Sequence, residues 1–222
     1  MIKLHNYFRS SASYRVRIAL EHKGLSYAYL PIHIAKGEHK ESRFSALAPD
    51  NLVPLLEMDG QRLSQSMAII EYLDERHPTP ALLPADALGR AQVRALAQSI
   101  ACEIHPLNNL RVLKYLTKTM NVADDAKNTW YRHWVRDGLE AFERQLQGIE
   151  AQRAVAGLQP SVFCFGSSLS LADCCLVPQI FNARRFDVNL DNLPRTMAAH
   201  DAGMALQAVQ KAQPSSCPDF EA

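Results

Sequence analysis

The spacing of hydrophobic residues changes near residue 88, and this change constrains the fold more than any other feature of the chain. Before it, short β-prone segments alternate with helical ones. After it, long helical periodicities follow one another and strand patterns disappear. The change predicts a mixed α/β domain over residues 1–80 and an all-helical domain over residues 88–212.

The first domain is predicted to have the order β-α-β-α, followed by a hairpin and another helix. Residues 2–7 (IKLHNY) favour a strand, and residues 12–22 (ASYRVRIALEH) favour an amphipathic helix. SYAYLPIHI then predicts a second strand, and ESRFSALA a short helix. The Asp59–Gly60 dipeptide within VPLLEMDGQRLSQ is a strong hairpin signal. Ser66 precedes the helical stripe of MAIIEYLDERH.

The second domain contains the long helical patterns GRAQVRALAQSIACEIHPLNNLRVLKYLTK and DDAKNTWYRHWVRDGLEAFERQLQ. Later in this domain Ser170 and Asp173 stand three residues apart before an apolar run, which predicts a capping box. We expect the last nine residues, PSSCPDFEA, to be a frayed tail.

Charge and hydropathy exclude several function classes. Lys and Arg total 24 against 23 Asp and Glu, so the chain lacks the basic surplus that dominates binding to nucleic acids or anionic membranes. No run of 18 apolar residues and no signal-peptide pattern occurs. We therefore expect a cytoplasmic protein with neither a nucleic-acid nor a membrane partner.

Cysteine and histidine spacing gives no sign of a disulfide framework or a metal site. The five cysteines form no CxxC pair, and we expect them to be reduced. The eight histidines form no HExxH or HxH motif, so no metal is predicted. There is also no glycine-rich phosphate loop or dinucleotide fingerprint.

Two serines, Ser10 and Ser11, follow Arg9 at the turn between the first strand and the first helix. A hydroxyl there can cap the helix, act as a nucleophile, or donate a hydrogen bond to an anion such as a thiolate. Nucleophilic catalysis would require a nearby general base, and FRSSAS suggests none. Because Ala12 and Ser13 complete a turn without cysteine, thiol chemistry here would require a thiol cofactor.

Two further features fit a peptide-like thiol. The proline of Val53–Pro54 is expected to hold a tight turn that exposes the backbone of residue 53. Gln65 and Ser66 lie between a strand and a helix, where a hydroxyl and backbone N–H groups bind a carboxylate. A simple helix cap at Ser66 is the alternative interpretation.

Four segments together resemble the zeta-class glutathione transferases: FRSSASYRVRIALEHKG, ALAPDNLVPLLEMDG, LSQSMAIIEYLDE and ADCCLVPQIFNARRF. Within that class, EIHPLNNLRVLKYL and the HPTPALLPAD linker are most similar to the maleylacetoacetate and maleylpyruvate isomerases. The resemblance implies the glutathione transferase fold, with a thioredoxin-like N-terminal domain, an all-α C-terminal domain and a homodimer.

The resemblance also assigns roles to residues. It implies Arg9, Ser10 and Ser11 as catalytic residues, although Ala12 replaces the family's cysteine and Tyr14 its tryptophan. Asp50 is a second departure, since it adds an acid near the implied glutathione site. The implied glutathione-binding residues are Ser11, His39, Val53, Gln65, Ser66, His105 and Asn109.

The implied reaction is a cis–trans isomerisation, in which a nucleophile adds to the double bond of a maleyl compound and leaves after rotation. Planar cations suit the carboxylate and oxo groups of such a substrate. The family arginines match Arg9, Arg111 and Arg185, and we expect them to bind the substrate, whereas Arg184 is expected to be a surface residue.

We therefore expect a glutathione-dependent isomerase that converts maleylacetoacetate to fumarylacetoacetate in aromatic catabolism. Maleylpyruvate is the alternative substrate. A zeta-like transferase acting on small 2-halo acids and a non-catalytic glutathione-binding protein are the remaining alternatives.

Overall fold

The computed structural model describes residues 1–221. The chain divides into two compact units by its internal contacts. We call Met1–Leu82, together with the described residues from Met204 onward, the N-terminal unit, and Leu83–Gly203 the helical unit. The sequence placed residues 204–212 in the helical domain, whereas their contacts place them with the N-terminal unit.

A four-stranded sheet with the order β2-β1-β3-β4 forms the base of the N-terminal unit. Its strands are β1 (Ile2–Asn6), β2 (Tyr27–Pro31), β3 (Leu55–Met58) and β4 (Gln61–Ser64). β1 runs parallel to β2 and antiparallel to β3, and β3 is antiparallel to β4. The parallel pair needs a crossover, which the first helix provides. This confirms the mixed α/β class predicted for the first domain.

The helices follow the predicted order. They are α1 (Ser11–His22), α2 (Ser42–Ser45), α3 (Ser66–Arg76), α4 (Ala87–Gln98), α5 (His105–Leu107), α6 (Leu110–Lys118), α7 (Asp124–Val155), α8 (Leu171–Arg185), α9 (Pro194–Met204) and α10 (Gln207–Ala212). Short 3₁₀ turns cover Glu38–Lys40 and Pro214–Ser216. A π-helical turn, Ser99–Ile104, interrupts the long helix predicted after residue 88.

Helix α1 is buried around most of its circumference. Every residue from 13 to 20 is buried, and the helix packs against both α3 and α10 within the N-terminal unit. Two arginines, Arg15 and Arg17, are among these residues, with 2% and 1% of their surface exposed. Buried cations of this kind require hydrogen-bond acceptors, and they become important for the site described below.

The hairpin prediction is confirmed. Asp59 and Gly60 join β3 to β4 with φ angles of 51° and 76°, both in the left-handed region that a two-residue hairpin turn requires. The pairing brings Leu55 opposite Ser64.

The segment that leaves this unit is held by a buried lysine. Lys23, at the end of α1, donates from Nζ to Asp74 at 2.8 Å and to the carbonyl oxygens of His77 and Pro80. Asp74 also accepts the Leu82 N–H. The Lys23 ammonium group thus donates to three acceptors, which offset part of the cost of burying its charge.

The expectation of a frayed tail is wrong for the described residues. Pro214 and Cys217 are buried, and Cys217 forms a cluster with Tyr7 and Phe8. The burial of these apolar side chains offsets the entropy cost of ordering the segment.

The helical unit is built around α8, whose residues 171–180 are all buried, and α8 packs against α4. The capping box at its start is confirmed, since Ser170 Oγ and the Ser170 N–H both donate to Asp173 Oδ2. A second, long-range cap joins α7 to α9: Glu143 accepts hydrogen bonds from the Thr196 N–H and hydroxyl, each at 2.7 Å.

None of the five cysteines, all within the described residues, forms a disulfide, and all except Cys102 are buried. None of the described helices is long and apolar enough to span a membrane.

Candidate functional site

The serine turn begins α1. Ser10 is the N-cap residue, and its Oγ accepts the Ser13 N–H at 3.2 Å. Its own N–H donates to the Tyr7 carbonyl oxygen at 3.0 Å. The capping interpretation therefore holds for Ser10. Because a hydroxyl that accepts a hydrogen bond retains its own proton, Ser10 can also donate to an anion.

Ser11 is the first residue of α1 and is 6% exposed. The first turn of the helix contains no acidic residue, so its N–H groups and positive dipole end favour an anion. Ala12, at the position of the family cysteine, is half-buried.

Arg9 lies directly before this turn and is half-buried. Its guanidinium carbon stands 4.9 Å from the centre of the Phe8 ring, a cation–π distance. The Nε atom is buried and has no hydrogen-bond partner among the residues described. A buried donor without an acceptor is costly, which favours a ligand at this position.

The second turn, at Gln65 and Ser66, differs from a simple serine cap. Gln65 occupies the N-cap position of α3 with φ of 67°, and no side chain caps the helix there. Ser66 is the first helical residue and is buried. The alternative that Ser66 caps α3 is therefore wrong. Its Oγ instead accepts a hydrogen bond from Arg15 Nη1 at 3.3 Å.

Arg15 is a site residue that sequence reasoning missed. Its Nη1 joins α1 to the first residue of α3, so the two anion-favouring turns are neighbours. Its Nε and Nη2 atoms are buried and lack hydrogen-bond partners within residues 1–221. The available signal was the run YRVRIAL, in which apolar residues flank both arginines and leave no polar face.

Arg17 was also missed, and it holds the strand that enters the serine turn. Its guanidinium donates to Asn6 Oδ1 at 2.9 Å, to the Phe8 carbonyl oxygen at 2.9 Å and to the Tyr7 carbonyl oxygen at 3.4 Å. Its Nε donates to the Ala212 carbonyl oxygen at 2.8 Å. Nothing in the local sequence indicates a partner 195 positions away.

The remaining predicted residues of the N-terminal unit lie in its loops. Val53 precedes a cis peptide bond to Pro54 and is half-buried, packing against two apolar clusters. His39 is half-buried in the 3₁₀ turn. Asp50 is exposed, and its Oδ1 accepts the Leu52 N–H at 3.2 Å, so this carboxylate stabilises its own loop.

In the helical unit, three predicted residues lie near the start of α6. Asn109 is the N-cap of this helix and accepts the Arg111 N–H at 3.0 Å. Its Nδ2 lies 3.4 Å from His105 Nε2. The Arg111 side chain is exposed. The π-helical turn precedes His105, and such turns are frequent at functional sites.

Arg185 lies in the last turn of α8 and is exposed. Its guanidinium donates to Asn182 Oδ1 at 3.2 Å and stands 5.7 Å from the centre of the Phe186 ring. That ring stacks on Tyr131 at 3.7 Å. Burial raises the pKa of Tyr131 to about 12, against the opposing effect of the Arg185 charge, so this phenol is neutral at physiological pH.

Within residues 1–221, no three His, Cys, Asp or Glu side chains lie together in a way that could hold a metal ion. The chemistry of the two turns is thus that of hydroxyls, backbone N–H groups and guanidinium groups.

Comparison with known proteins places these features in a family. Residues 1–75 match the glutathione S-transferase N-terminal domain. The chain is 46% identical to a maleylpyruvate isomerase of a Ralstonia species, over 98% of this chain and 99% of that protein. It is 44% identical to the maleylacetoacetate isomerase of Pseudomonas aeruginosa, with full coverage of both chains.

Solved structures agree. One is the holo structure of a maleylpyruvate isomerase described as a zeta-class bacterial glutathione S-transferase, with a TM-score of 0.90, 46% identity and coverage of 99% and 100% of the two chains. Another is a maleylacetoacetate isomerase from Anaeromyxobacter dehalogenans with glutathione in its active site, with a TM-score of 0.86, 38% identity and coverage of 100% and 98%.

Proposed function

The chain belongs to the glutathione S-transferase family, in the zeta-class group of maleylacetoacetate and maleylpyruvate isomerases, and on this premise we propose that it isomerises a maleyl oxo-acid with glutathione as cofactor. The observation that carries the proposal is the pair of anion-favouring turns, at Ser10–Ser11 and Gln65–Ser66, joined by the Arg15–Ser66 hydrogen bond.

The residues present fit glutathione. Two buried nitrogens of Arg15 have no partner in the described chain, which matches an acceptor brought by a ligand. Beside them, Ser66 and the N–H groups that begin α3 suit the carboxylate of a γ-glutamyl group. The other residues proposed to contact glutathione are Val53, Gln65, His39, His105 and Asn109.

When bound, glutathione supplies a thiolate nucleophile for cis–trans isomerisation. Ser11 and Ser10 hold this anion by hydrogen bonding at the positive end of α1, and Arg9 adds a cation next to it. Each interaction favours the charged form of a thiol, whose pKa is ordinarily about 8.5. Ala12 makes no such contribution, so stabilisation of the thiolate rests on the two hydroxyls, the helix and the arginine.

The substrate is proposed to be a small oxo-dicarboxylate, with maleylacetoacetate first and maleylpyruvate second. Arg9, Arg111 and Arg185 are assigned to its carboxylate and oxo groups, because a guanidinium binds such planar groups through two parallel hydrogen bonds. The exposure of Arg111 and Arg185 leaves both guanidinium groups accessible to a ligand.

We propose a homodimer and a cytoplasmic location on the same premise.

The test is the loss of maleyl absorbance on addition of the protein, measured with and without glutathione and with each of the two maleyl acids. Isomerisation that requires glutathione is the expected result. Turnover of a small 2-halo acid without turnover of either maleyl acid would instead assign a dehalogenating transferase. Glutathione binding without any turnover would assign a binding protein.

A further inference from the structure

Asp219, in the segment after the 3₁₀ turn at Pro214–Ser216, reaches the turn between β1 and α1. Its Oδ2 accepts the Phe8 N–H at 3.3 Å, and its Oδ1 accepts the hydroxyl proton of Tyr29. These residues are separated from it by 211 and 190 positions. The carboxylate therefore ties β2 and the turn that follows β1 to a distant part of the chain.

The carbonyl group of the same residue is held by Arg17, which donates to the Phe8 oxygen at 2.9 Å. Both backbone groups of Phe8 thus have buried or partly buried partners. Phe8 is the residue directly before Arg9, and only two positions separate it from the N-cap Ser10. A backbone with both groups bound in this way has little freedom to shift.

The side chain of Phe8 is also packed by this segment. Its ring is fully buried and meets the Phe220 ring edge-on at 5.6 Å. The Arg9 guanidinium lies over the same Phe8 ring. The Phe8 ring, which contacts Arg9, is therefore packed against Phe220, the residue that follows Asp219.

We propose that Asp219 is a positioning residue for the catalytic turn: by binding the Phe8 N–H it sets the backbone that presents Arg9, Ser10 and Ser11 to the glutathione thiol. This inference rests on the proposed function. Hydrogen-bond donors stabilise a charge effectively only when they are already in place, so a displaced turn would stabilise the thiolate less. The effect is confined to the thiol end, because Arg15 and Ser66 are held independently of Asp219.

Glu221 offers a matched control within the same segment. It forms an exposed ion pair with Lys36 at 2.6 Å and lies 3.2 Å from His33 Nε2. It contributes to attachment of the segment through these two residues, whereas the Phe8 N–H donates to Asp219. Exposed ion pairs of this type contribute little to stability.

The experiment compares the full-length protein with Asp219→Ala, Asp219→Asn, Tyr29→Phe and Glu221→Gln. Glutathione affinity is measured by calorimetry, and the pKa of the bound thiol by the ultraviolet absorbance of the thiolate. Turnover and thermal unfolding are measured in parallel. Asp219→Ala is expected to raise the pKa of the bound thiol and lower kcat about three- to tenfold, while the Kd of glutathione changes less than about twofold.

Asp219→Asn keeps an acceptor for the Phe8 N–H and is expected to restore most of the turnover and the thiol pKa. Glu221→Gln should match the wild type. Should Asp219→Ala fail to fold, Tyr29→Phe, which removes one of the two donors to the carboxylate, is expected to shift the thiol pKa in the same direction by less.

A folded Asp219→Ala protein with the wild-type thiol pKa and kcat would overturn the inference. An equal loss of glutathione affinity and of turnover would also overturn it, because it would show that the whole glutathione site is disturbed and not the thiol end alone. If the wild type itself fails to bind glutathione, the proposed function fails, and the inference with it. The wild-type measurement therefore separates the two failures.

Discussion

Arg15 on α1 donates a hydrogen bond from Nη1 to the Oγ of Ser66, the first residue of α3, across 3.3 Å. Both residues are buried, although 51 positions separate them in the chain. The contact brings the two strand-to-helix turns together and leaves two further nitrogens of Arg15 for a ligand.

Arg15→Met is expected to weaken glutathione binding. A lost hydrogen bond to a charged group costs about 1.5–3 kcal/mol, which corresponds to a rise in Kd of roughly tenfold to a hundredfold. Calorimetry measures the change directly. Arg43→Met, at an exposed position on α2, is the matched control and should leave Kd unaltered. An unchanged Kd in a folded Arg15→Met protein would contradict the assignment.

Both serines are expected to act in turnover, and Ser10 also in the stability of α1. Ser11→Ala should lower turnover on the order of tenfold, because a hydrogen bond to the thiolate is lost. Ser10→Ala should lower turnover and also remove the cap of α1, at a cost of about 1 kcal/mol. Urea unfolding and steady-state kinetics provide the two measurements.

Ser42→Ala, at an exposed position, is the control for these serine variants. A double Ser10→Ala, Ser11→Ala variant with wild-type turnover would show that neither hydroxyl acts in the reaction.

The arginines assigned to the substrate should discriminate between charged and neutral electrophiles. Replacing Arg111 or Arg185 by Met is expected to raise KM for the maleyl acid and barely to alter turnover of an aryl halide. Arg9→Met should lower turnover of both substrates, because Arg9 is assigned to the thiolate as well as to the substrate. Lysine should rescue only in part, since an ammonium group cannot provide two parallel hydrogen bonds. Arg184→Met is the control. Equal losses for both substrates in Arg111→Met or Arg185→Met would assign that arginine to the fold or the thiolate.

Glu143 is expected to stabilise the helical unit in a pH-dependent way. Burial alone would raise its pKa, but the hydrogen bonds from Thr196 and Arg195 outweigh this effect and lower the pKa of the folded state. A lowered carboxyl pKa contributes stability that is present above the unfolded-state pKa and is lost as the pH falls through the folded-state value.

Glu143→Gln should therefore lower the free energy of unfolding by about 1–3 kcal/mol at neutral pH. The difference from the wild type should shrink as the pH falls below the unfolded-state value of about 4.3. Urea unfolding of both proteins at several pH values measures this difference in the free energy of unfolding. Glu140→Gln, which removes only a half-buried i,i+4 pair with Arg136 along α7, should show a much smaller change at every pH.

Local patterns were sufficient for the order of elements. The Asp59–Gly60 turn and the Ser170–Asp173 capping box each depend on residues at most three positions apart, so their hydrogen bonds follow from adjacent chemistry. The resemblance in the serine motif also predicted the family and the glutathione cofactor, and the comparisons support both predictions.

The sequence by itself determined the order of the strands, the hairpin, the capping box, the two structural classes and the positions of the two turns, because short-range hydrogen bonds and hydrophobic periodicity encode them. Only the tertiary structure decided that Ser66 accepts from Arg15 instead of capping its helix, that Arg17 reaches residue 212, and that Asp219 binds Phe8. Each of these contacts joins residues at least 51 positions apart. A buried charged group forms hydrogen bonds with the partners that tertiary packing places next to it, and no local sequence pattern specifies those partners.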